Sequence, residues 1–311
     1  YPVDARDAAG NSALHLAAAA SQVYMINMLS QKGLNVNCTN EAHEAPAHVA
    51  AKSGNTEAAA ALVKNGADLL QNQHPEKLSI PLIVAAQARH WDTTRLLRGL
   101  GEDYTIEHAV GYGDMDCVKE ILASHPEFLE HQMPGSEETP IFVAIRMRQM
   151  EMLKFLLERG ANPSVYSASG ERPLSLAISL ENYAAADALL ARGVDIDEPN
   201  KTTGETVLFP LVRTGSKAMV AYALEKGARV DRQNMQGVSP LHAAILEHHA
   251  DMAHFLLDKG GDIEARTREG RTPLRADQSS RNHRETPIHA RTLFIVSSSS
   301  GSSTACRPPT P

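Results

Sequence analysis

Residues 239–264 read SPLHAAILEHHADMAHFLLDKGGDIE, and the fold follows from how this stretch recurs along the chain. It contains four histidines, at positions 242, 248, 249 and 254. Histidine is the commonest metal ligand and a frequent acid–base catalyst, so the stretch alone suggests a metal site or a catalytic site. A structural repeat is the third explanation, because repeated units carry the same residues for the same packing reasons.

The opening phrase of this stretch, SPLHAAI, has seven counterparts in the chain. They are SALHLAA from Ser12, APAHVAA from Ala45, IPLIVAA from Ile80, TPIFVAI from Thr139, RPLSLAI from Arg172, TVLFPLV from Thr206 and TPLRADQ from Thr272. The second residues of the eight copies stand at positions 13, 46, 81, 140, 173, 207, 240 and 273, which gives a period near 33 and one interval of 59. A fixed period of this length is typical of solenoids and other repeat architectures.

A second phrase follows most copies at a constant offset. It reads MLSQKGLNVN, ALVKNGADLL, FLLERGANPS, ALLARGVDID, YALEKGARVD and FLLDKGGDIE, and its glycines are Gly33, Gly66, Gly160, Gly193, Gly227 and Gly260. Two phrases in phase at a period near 33, the first of TPLH type, resemble the ankyrin repeat. The resemblance covers residues 4 to about 274, which is nearly nine-tenths of the chain.

The sequence therefore predicts an all-α ankyrin solenoid of helix-turn-helix units with β-turn fingers. Proline opens the first helix, small and apolar residues bury one face of each helix, and glycine ends the second helix. Stacked neighbours then bury a continuous core. We expect an array over 1–274, with repeats at 4–37, 38–71, 72–103, 104–130, 131–164, 165–198, 199–231, 232–264 and a partial ninth at 265–274.

Three departures from the pattern carry structural expectations. The interval of 59 holds a shortened repeat at 105–130, so we expect the finger near 101–103 to be missing. Pro210 stands near the start of a first helix, where proline costs least. Residues 275–311 are rich in serine and proline and carry a net positive charge, which predicts a disordered basic tail.

The repeat explains the residues that first suggest chemistry. His15, His48 and His242 stand at the TPLH position, where we expect a histidine that bonds to the backbone of a neighbouring repeat. No histidine or cysteine spacing matches a zinc pattern, and no hydrolase, kinase or nucleotide-binding motif is present. Cys117 falls on a second helix and is expected to pack as a small apolar residue. We therefore expect no cofactor, no metal and no catalysis.

Composition narrows the kind of partner and the compartment. The formal net charge is -7 and the pI is about 6.1, which gives no electrostatic reason to expect a nucleic acid or an anionic membrane. No run approaches the roughly 20 apolar residues that a membrane-spanning helix needs. The chain opens YPVDARD, without a secretory signal or an initiator Met, so we expect an excerpt or a processed form. Three scattered cysteines indicate the cytoplasm, or alternatively the nucleus.

The resemblance implies that a protein partner docks on the concave face, which the turn tips and first helices form. Carried onto this chain, that face includes Arg6, Arg89, His90, Trp91, Tyr112, Arg146, Arg148, Tyr166, Arg213, Met235 and His248. Trp, Tyr and Arg dominate the binding energy of interfaces, although most contact residues are energetically silent.

Three functions stay open at this point. The first is a non-catalytic protein–protein interaction module or scaffold. The second is a regulatory or targeting domain of a larger enzyme or channel whose catalytic part lies outside this chain. The third, an enzyme, would require chemistry at the turn of His248 and His249 or at Cys117.

Overall fold

The computed structural model describes residues 5–69, 80–100 and 104–276. The first helices of the repeats are α1 (Ala13–Ala19), α3 (Pro46–Lys52), α5 (Pro81–Gln87), α7 (Ile106–Tyr112), α9 (Pro140–Arg146), α11 (Pro173–Ser179), α13 (Leu208–Thr214), α15 (Pro240–Leu246) and α17 (Pro273–Ala276). The second helices are α2 (Val23–Gln31), α4 (Thr56–Lys64), α6 (Trp91–Arg98), α8 (Met115–Ser124), α10 (Met150–Glu158), α12 (Tyr183–Leu190), α14 (Lys217–Glu225) and α16 (Ala250–Asp258). A 3-10 helix, Pro126–Glu130, follows α8.

Backbone contacts divide the chain into two compact units. The first unit is Tyr1–His131 with Glu151–Arg159, and the second is Gln132–Met150 with Gly160–Pro311. In the first unit α1 packs on α3, α3 on α5 and α5 on α7, while α2, α4 and α6 pack in order as a second layer. Each first helix therefore buries its apolar side against the next repeat as well as against its own partner helix.

The second unit repeats the same arrangement. Here α9 packs on α11, α13 on α15 and α15 on α17, and the helix pairs α11/α12, α13/α14 and α15/α16 each pack together. The described residues thus contain the helices of eight repeats and the first helix of a ninth. The predicted all-α fold of helix-turn-helix units is confirmed.

A buried histidine closes the start of several first helices. In α1 the Nδ1 atom of His15 accepts the backbone N–H of Ser12 at 3.1 Å, and in α15 His242 does the same for Ser239 at 3.2 Å. His48 and His108 occupy the corresponding place in α3 and α7. These bonds satisfy a backbone donor that would otherwise lie unpaired at the helix N-terminus.

The other nitrogen of the same histidine joins one repeat to the next. The Nε2 atom of His15 lies 2.9 Å from the carbonyl oxygen of Glu44, and that of His242 lies 3.1 Å from the carbonyl oxygen of Arg271. Because Nδ1 accepts, Nε2 must donate, and the ring is neutral. The predicted structural role of these two histidines is confirmed. Burial lowers the pKa of both rings, because it disfavours the charged form.

The turns follow the glycine pattern of the sequence. The six glycines that end the second helices all have positive φ, from 83° at Gly193 to 100° at Gly227. The fingers are joined by backbone hydrogen bonds, such as Glu41 N–H to the Ala9 carbonyl at 3.1 Å and Ala168 N–H to the Ser136 carbonyl at 2.7 Å. Neighbouring fingers are therefore held in register as well as neighbouring helices.

The described residues reach only part of the three departures. Seven residues, 99–105, link α6 to α7, whereas residues 32–45 link α2 to α3. The position near 101–103 where we expect no finger lies outside the described residues. Pro210 is the third residue of α13, where its missing N–H interrupts no bond inside the helix. The expected disordered tail also lies outside the described part from position 277 onward.

The histidine geometry predicts a dependence of stability on pH. The folded pKa of His15 and His242 lies below the ordinary value of 6.5, so below about pH 6.5 the unfolded chain binds protons that the folded chain does not. The free energy of unfolding should fall as the pH is lowered from 7.5 to 5.5. Phe142 and Phe209 stand at the position of this histidine in repeats 5 and 7. Replacing both histidines with Phe should therefore reduce the dependence of the free energy of unfolding on pH. Urea unfolding at three pH values measures it, and an unchanged slope would contradict the assignment.

Candidate protein-binding surface

We define the finger face of each unit as its β-turn fingers, the exposed side of its first helices and the turns between paired helices. The first unit contributes α1, α3, α5 and α7, and the second unit contributes α9, α11, α13 and α15. Most of the residues predicted to bind a partner belong to the finger face.

An ion pair within one repeat recurs on this face. A finger glutamate bonds to a cation eight residues later, in the last turn of the first helix. The pairs are Glu44–Lys52 at 3.1 Å, Glu138–Arg146, and Glu205–Arg213 at 2.5 Å. In each pair the carboxylate is more buried than the cation. The guanidinium groups of Arg146 and Arg213, both predicted binding residues, are therefore held by a glutamate while their side chains stay 46% and 44% exposed.

The turns between paired helices place three predicted residues in an unusual backbone conformation. Arg89, Arg148 and His248 have φ of 60°, 54° and 59°, in the left-handed region where Gly54 and Gly215 stand in other repeats. This conformation costs a non-glycine residue roughly 1–2 kcal/mol. All three side chains are exposed, and the Arg148 guanidinium donates to the Leu180 carbonyl at 2.6 Å.

Two of the predicted binding residues are engaged inside the protein. The Arg6 guanidinium donates to the carbonyl oxygens of Gly10 and Thr39, at 2.7 and 2.5 Å, and so joins the first two fingers. The Nε2 atom of His90 lies 3.1 Å from the Lys52 carbonyl, which caps the end of α3. In the second unit His249 makes the matching bond to the Val212 carbonyl at 3.0 Å.

Tyr166 is likewise committed to an internal partner. The guanidinium carbon of Arg172 lies 4.0 Å from the centre of the Tyr166 ring, and the same group donates to the Tyr166 hydroxyl. Arg172 is only 6% exposed, and it also pairs with Glu198 at 2.5 Å. Tyr166 is therefore part of the cage that keeps a buried arginine paired, as buried charges require.

Trp91 and Cys117 lie among residues of the second helices. Together with Arg95 and Arg98 they line a void of about 10 Å³, near the size of one water molecule. The Cys117 thiol is buried, and burial raises its pKa to about 11. Since the thiolate is the nucleophilic form, this cysteine is almost entirely unreactive at neutral pH. Trp91 is half-buried, as is Tyr112 at the end of α7.

Exposed apolar side chains are the feature of this surface that sequence reasoning partly missed. Met147 and Met235 are 48% and 47% exposed in the second unit, and Leu246 there is 43% exposed. In the first unit Leu16, 52% exposed, lies beside a groove of about 420 Å³ that Ala19 and Val49 also line. The sequence does indicate that Leu246 is exposed. In repeat 8, Val238 stands at the position of the finger glutamate and Leu246 at the position of the cation that pairs with it in other repeats.

Two further observations bear on the predicted absences. Across the described ranges, no three His, Cys, Asp or Glu side chains come together in a way that would hold a metal ion. Among the helices of the same residues, none has the length and apolar character to cross a membrane.

Relief of backbone strain gives a test of the turn geometry. Arg89→Gly should raise the free energy of unfolding by about 0.5–1 kcal/mol, because glycine adopts this φ without steric cost but is more flexible in the unfolded chain. Arg148→Gly is the matched comparison, and should gain less because it also loses the bond to the Leu180 carbonyl. Chemical denaturation measures both, and a destabilised Arg89→Gly variant would contradict the turn geometry.

Comparison with known proteins agrees with this architecture. A family model described as "Ankyrin repeats (3 copies)" matches residues 14–108, 106–200 and 188–267. The chain is 31% identical over 195 residues to "Putative palmitoyltransferase ZDHHC13" of Danio rerio, which covers 60% of this chain and 29% of that protein. It is 26% identical over 160 residues to the human "Transient receptor potential cation channel subfamily A member 1", which covers 51% of this chain and 14% of the channel.

The chain is also similar to a plant protein and to a solved structure. The Arabidopsis thaliana "Putative E3 ubiquitin-protein ligase XBAT31" is 25% identical over 181 residues, covering 54% of this chain and 40% of that protein. The solved ankyrin repeat domain of human ASB11 aligns over 91% of this chain and 97% of its own, with 20% identity and a TM-score of 0.43. The chain thus spans less than half the length of these curated relatives. Because the family model matches most of its length, the chain belongs to the ankyrin-repeat family.

Proposed function

We propose that this chain is a non-catalytic interaction module that binds a protein partner on its finger face, the counterpart of the concave face in its family. Ankyrin repeats are protein-interaction modules, so the general role follows from the family. The place of binding is supported by one observation above all. Arg146, Arg213 and Leu246 occupy the same position of repeats 5, 7 and 8, and the exposed Met147 and Met235 lie on the same face.

The composition of the face supports a protein partner in particular. Met147, Met235 and Leu246 offer flexible or branched apolar surface beside Arg146, Arg148 and Arg213. Methionine and arginine are enriched at protein interfaces, where an apolar centre is ringed by polar groups. A net charge of -7 argues against a nucleic-acid partner, which requires a concentrated basic surface.

Chemistry within this chain has little physical support. The ankyrin fold is typically non-catalytic, and Cys117 combines burial with a raised pKa. His249 is held to the Val212 carbonyl, and His242 is neutral and buried. We therefore propose that the chain itself is not an enzyme and needs neither metal nor cofactor. We further propose that the array extends over 1–274, that 275–311 is a separate tail, and that the protein acts in the cytoplasm or nucleus.

The second candidate is a regulatory or targeting domain of a larger enzyme or channel. Its support is the partial length of the match, since the chain covers 29% of a putative palmitoyltransferase and 14% of a cation channel. In this case the finger face would bind another part of the same polypeptide or a substrate of its catalytic domain. Both candidates use the same surface and differ in what lies beyond this chain.

The exposed apolar residues give the sharpest test of the finger face. The variant Met147→Ala, Met235→Ala, Leu246→Ala should lose its partner, because a few buried apolar anchors carry most of the energy of an interface. Tyr24→Ala, Met25→Ala, Leu100→Ala is the control, since it removes three other exposed apolar side chains, on α2 and after α6. Proximity labelling in cells with quantitative mass spectrometry identifies proteins enriched by the wild type. Partners kept by the first variant and lost by the control would refute the assignment.

A further inference from the structure

Repeat 6 has only one half of the ion pair that repeats 2, 5 and 7 carry on the finger face. Glu171 occupies the finger position of Glu44, Glu138 and Glu205, but the residue eight positions later is Ser179, the last residue of α11. The Glu171 carboxylate makes no hydrogen bond or ion pair with any residue in the described part of the chain. It is nevertheless half-buried, and burial raises its pKa. Repeat 6 therefore keeps the acid of the pair and lacks the cation.

An open cavity lies beside Glu171. Glu171 lines a cavity of about 150 Å³ in the second unit, together with Ser175, Glu198, Thr206 and Pro210. This volume is far more than one water molecule occupies, and it suits the end of a long side chain. We call this cavity the Glu171 subsite.

The charges around the subsite leave Glu171 uncompensated. Glu198 is paired with Arg172, and Glu205 with Arg213, each at 2.5 Å. Arg146 is the cation whose charge reaches Glu171, but it is bonded to Glu138. The lining thus presents one negative charge without a partner of its own, and a half-buried charge gains more from an added counter-ion than a fully solvated one.

Thr206 lines the same cavity. Thr206 is 2% exposed, and its Oγ1 atom has no hydrogen-bond partner among the described residues. The reason is local, since Phe209 stands where His15 and His242 bond to the serine hydroxyls of their own repeats. A buried hydroxyl without a partner is costly, so a ligand that donates a hydrogen bond here gains affinity.

We propose that the Glu171 subsite binds a lysine or arginine side chain of the protein that docks on the finger face. An ammonium or guanidinium group carries several N–H donors and no acceptor, which matches a free carboxylate beside a free hydroxyl. The partner thereby supplies in repeat 6 the cation that repeats 2, 5 and 7 supply from their own first helices. This inference rests on the proposed function of the face and adds the chemistry of one anchor residue.

The missing cation can be restored within the chain, which gives a direct test. Ser179→Arg should pair with Glu171 from within the chain, as the cations of repeats 2, 5 and 7 do with their glutamates, and so compete with the partner, whereas the neutral Ser179→Gln should not. Glu171→Gln should weaken binding without harming the fold, because it removes an unpaired half-buried charge. Circular dichroism and urea unfolding of each full-length variant check that the variants remain folded.

The probe is a set of dodecapeptides selected from a random display library on the wild-type chain. Selected peptides should carry a fixed Lys or Arg, and replacing it with norleucine should weaken binding about tenfold or more. The same replacement should have little effect on binding to Glu171→Gln or Ser179→Arg, as a double-mutant cycle requires when two groups interact directly.

The outcomes separate this inference from the proposed function. Peptides that bind the finger face without a fixed cation, or whose cation is insensitive to Glu171→Gln, overturn the subsite but leave the face as the binding surface. Peptides that are unaffected by the Met147, Met235 and Leu246 substitutions overturn the face as well. A library that yields no binding peptide overturns the subsite.

Discussion

Each repeat of this protein depends on its neighbour, because two short helices cannot bury their apolar sides against each other alone. The first helices have only seven residues in most repeats, well below the length at which an isolated helix is stable in water. Stability therefore comes from the layers that the helices form together. The buried histidines serve the same end, since one ring both closes its own helix and bonds to the next finger. Apolar packing and the hydrogen bonds of buried polar groups therefore both join each repeat to the next.

This dependence leaves one side of the molecule free to vary. The buried side of a repeat is fixed by contact with two neighbours, whereas the exposed side chains of the finger face are less constrained. On that face the structure nevertheless repeats a modest device, the pairing of a finger carboxylate with a cation at the helix end. An exposed pair of this kind adds little to stability. Its recurrence in repeats 2, 5 and 7 is more informative than its energy, because it shows which charge repeat 6 lacks.

The sequence predicts the architecture well, since period, proline and glycine report on backbone geometry that every repeat shares. It predicts the contacts of individual polar side chains less well, because these depend on neighbours one repeat away. Arg6, His90 and Tyr166 look like free turn residues in the sequence, yet each bonds across to the adjacent repeat. Leu16 and Leu246 look like ordinary helix residues and are exposed. The missing cation beside Glu171 is visible in the sequence alone, when the finger glutamate and the residue eight positions later are compared between repeats.

The reach of the bonds between repeats has a mechanical consequence. His15 bonds to a residue 29 positions on, and Tyr222 bonds to one 39 positions back, so the described bonds of this kind span about one repeat. Local contacts of this sort make for fast folding and for a nearly one-dimensional stability. A chain pulled from one end would yield in steps, losing one repeat before loading the next. The force at which each repeat unfolds would then depend mainly on its bonds to the neighbouring repeats.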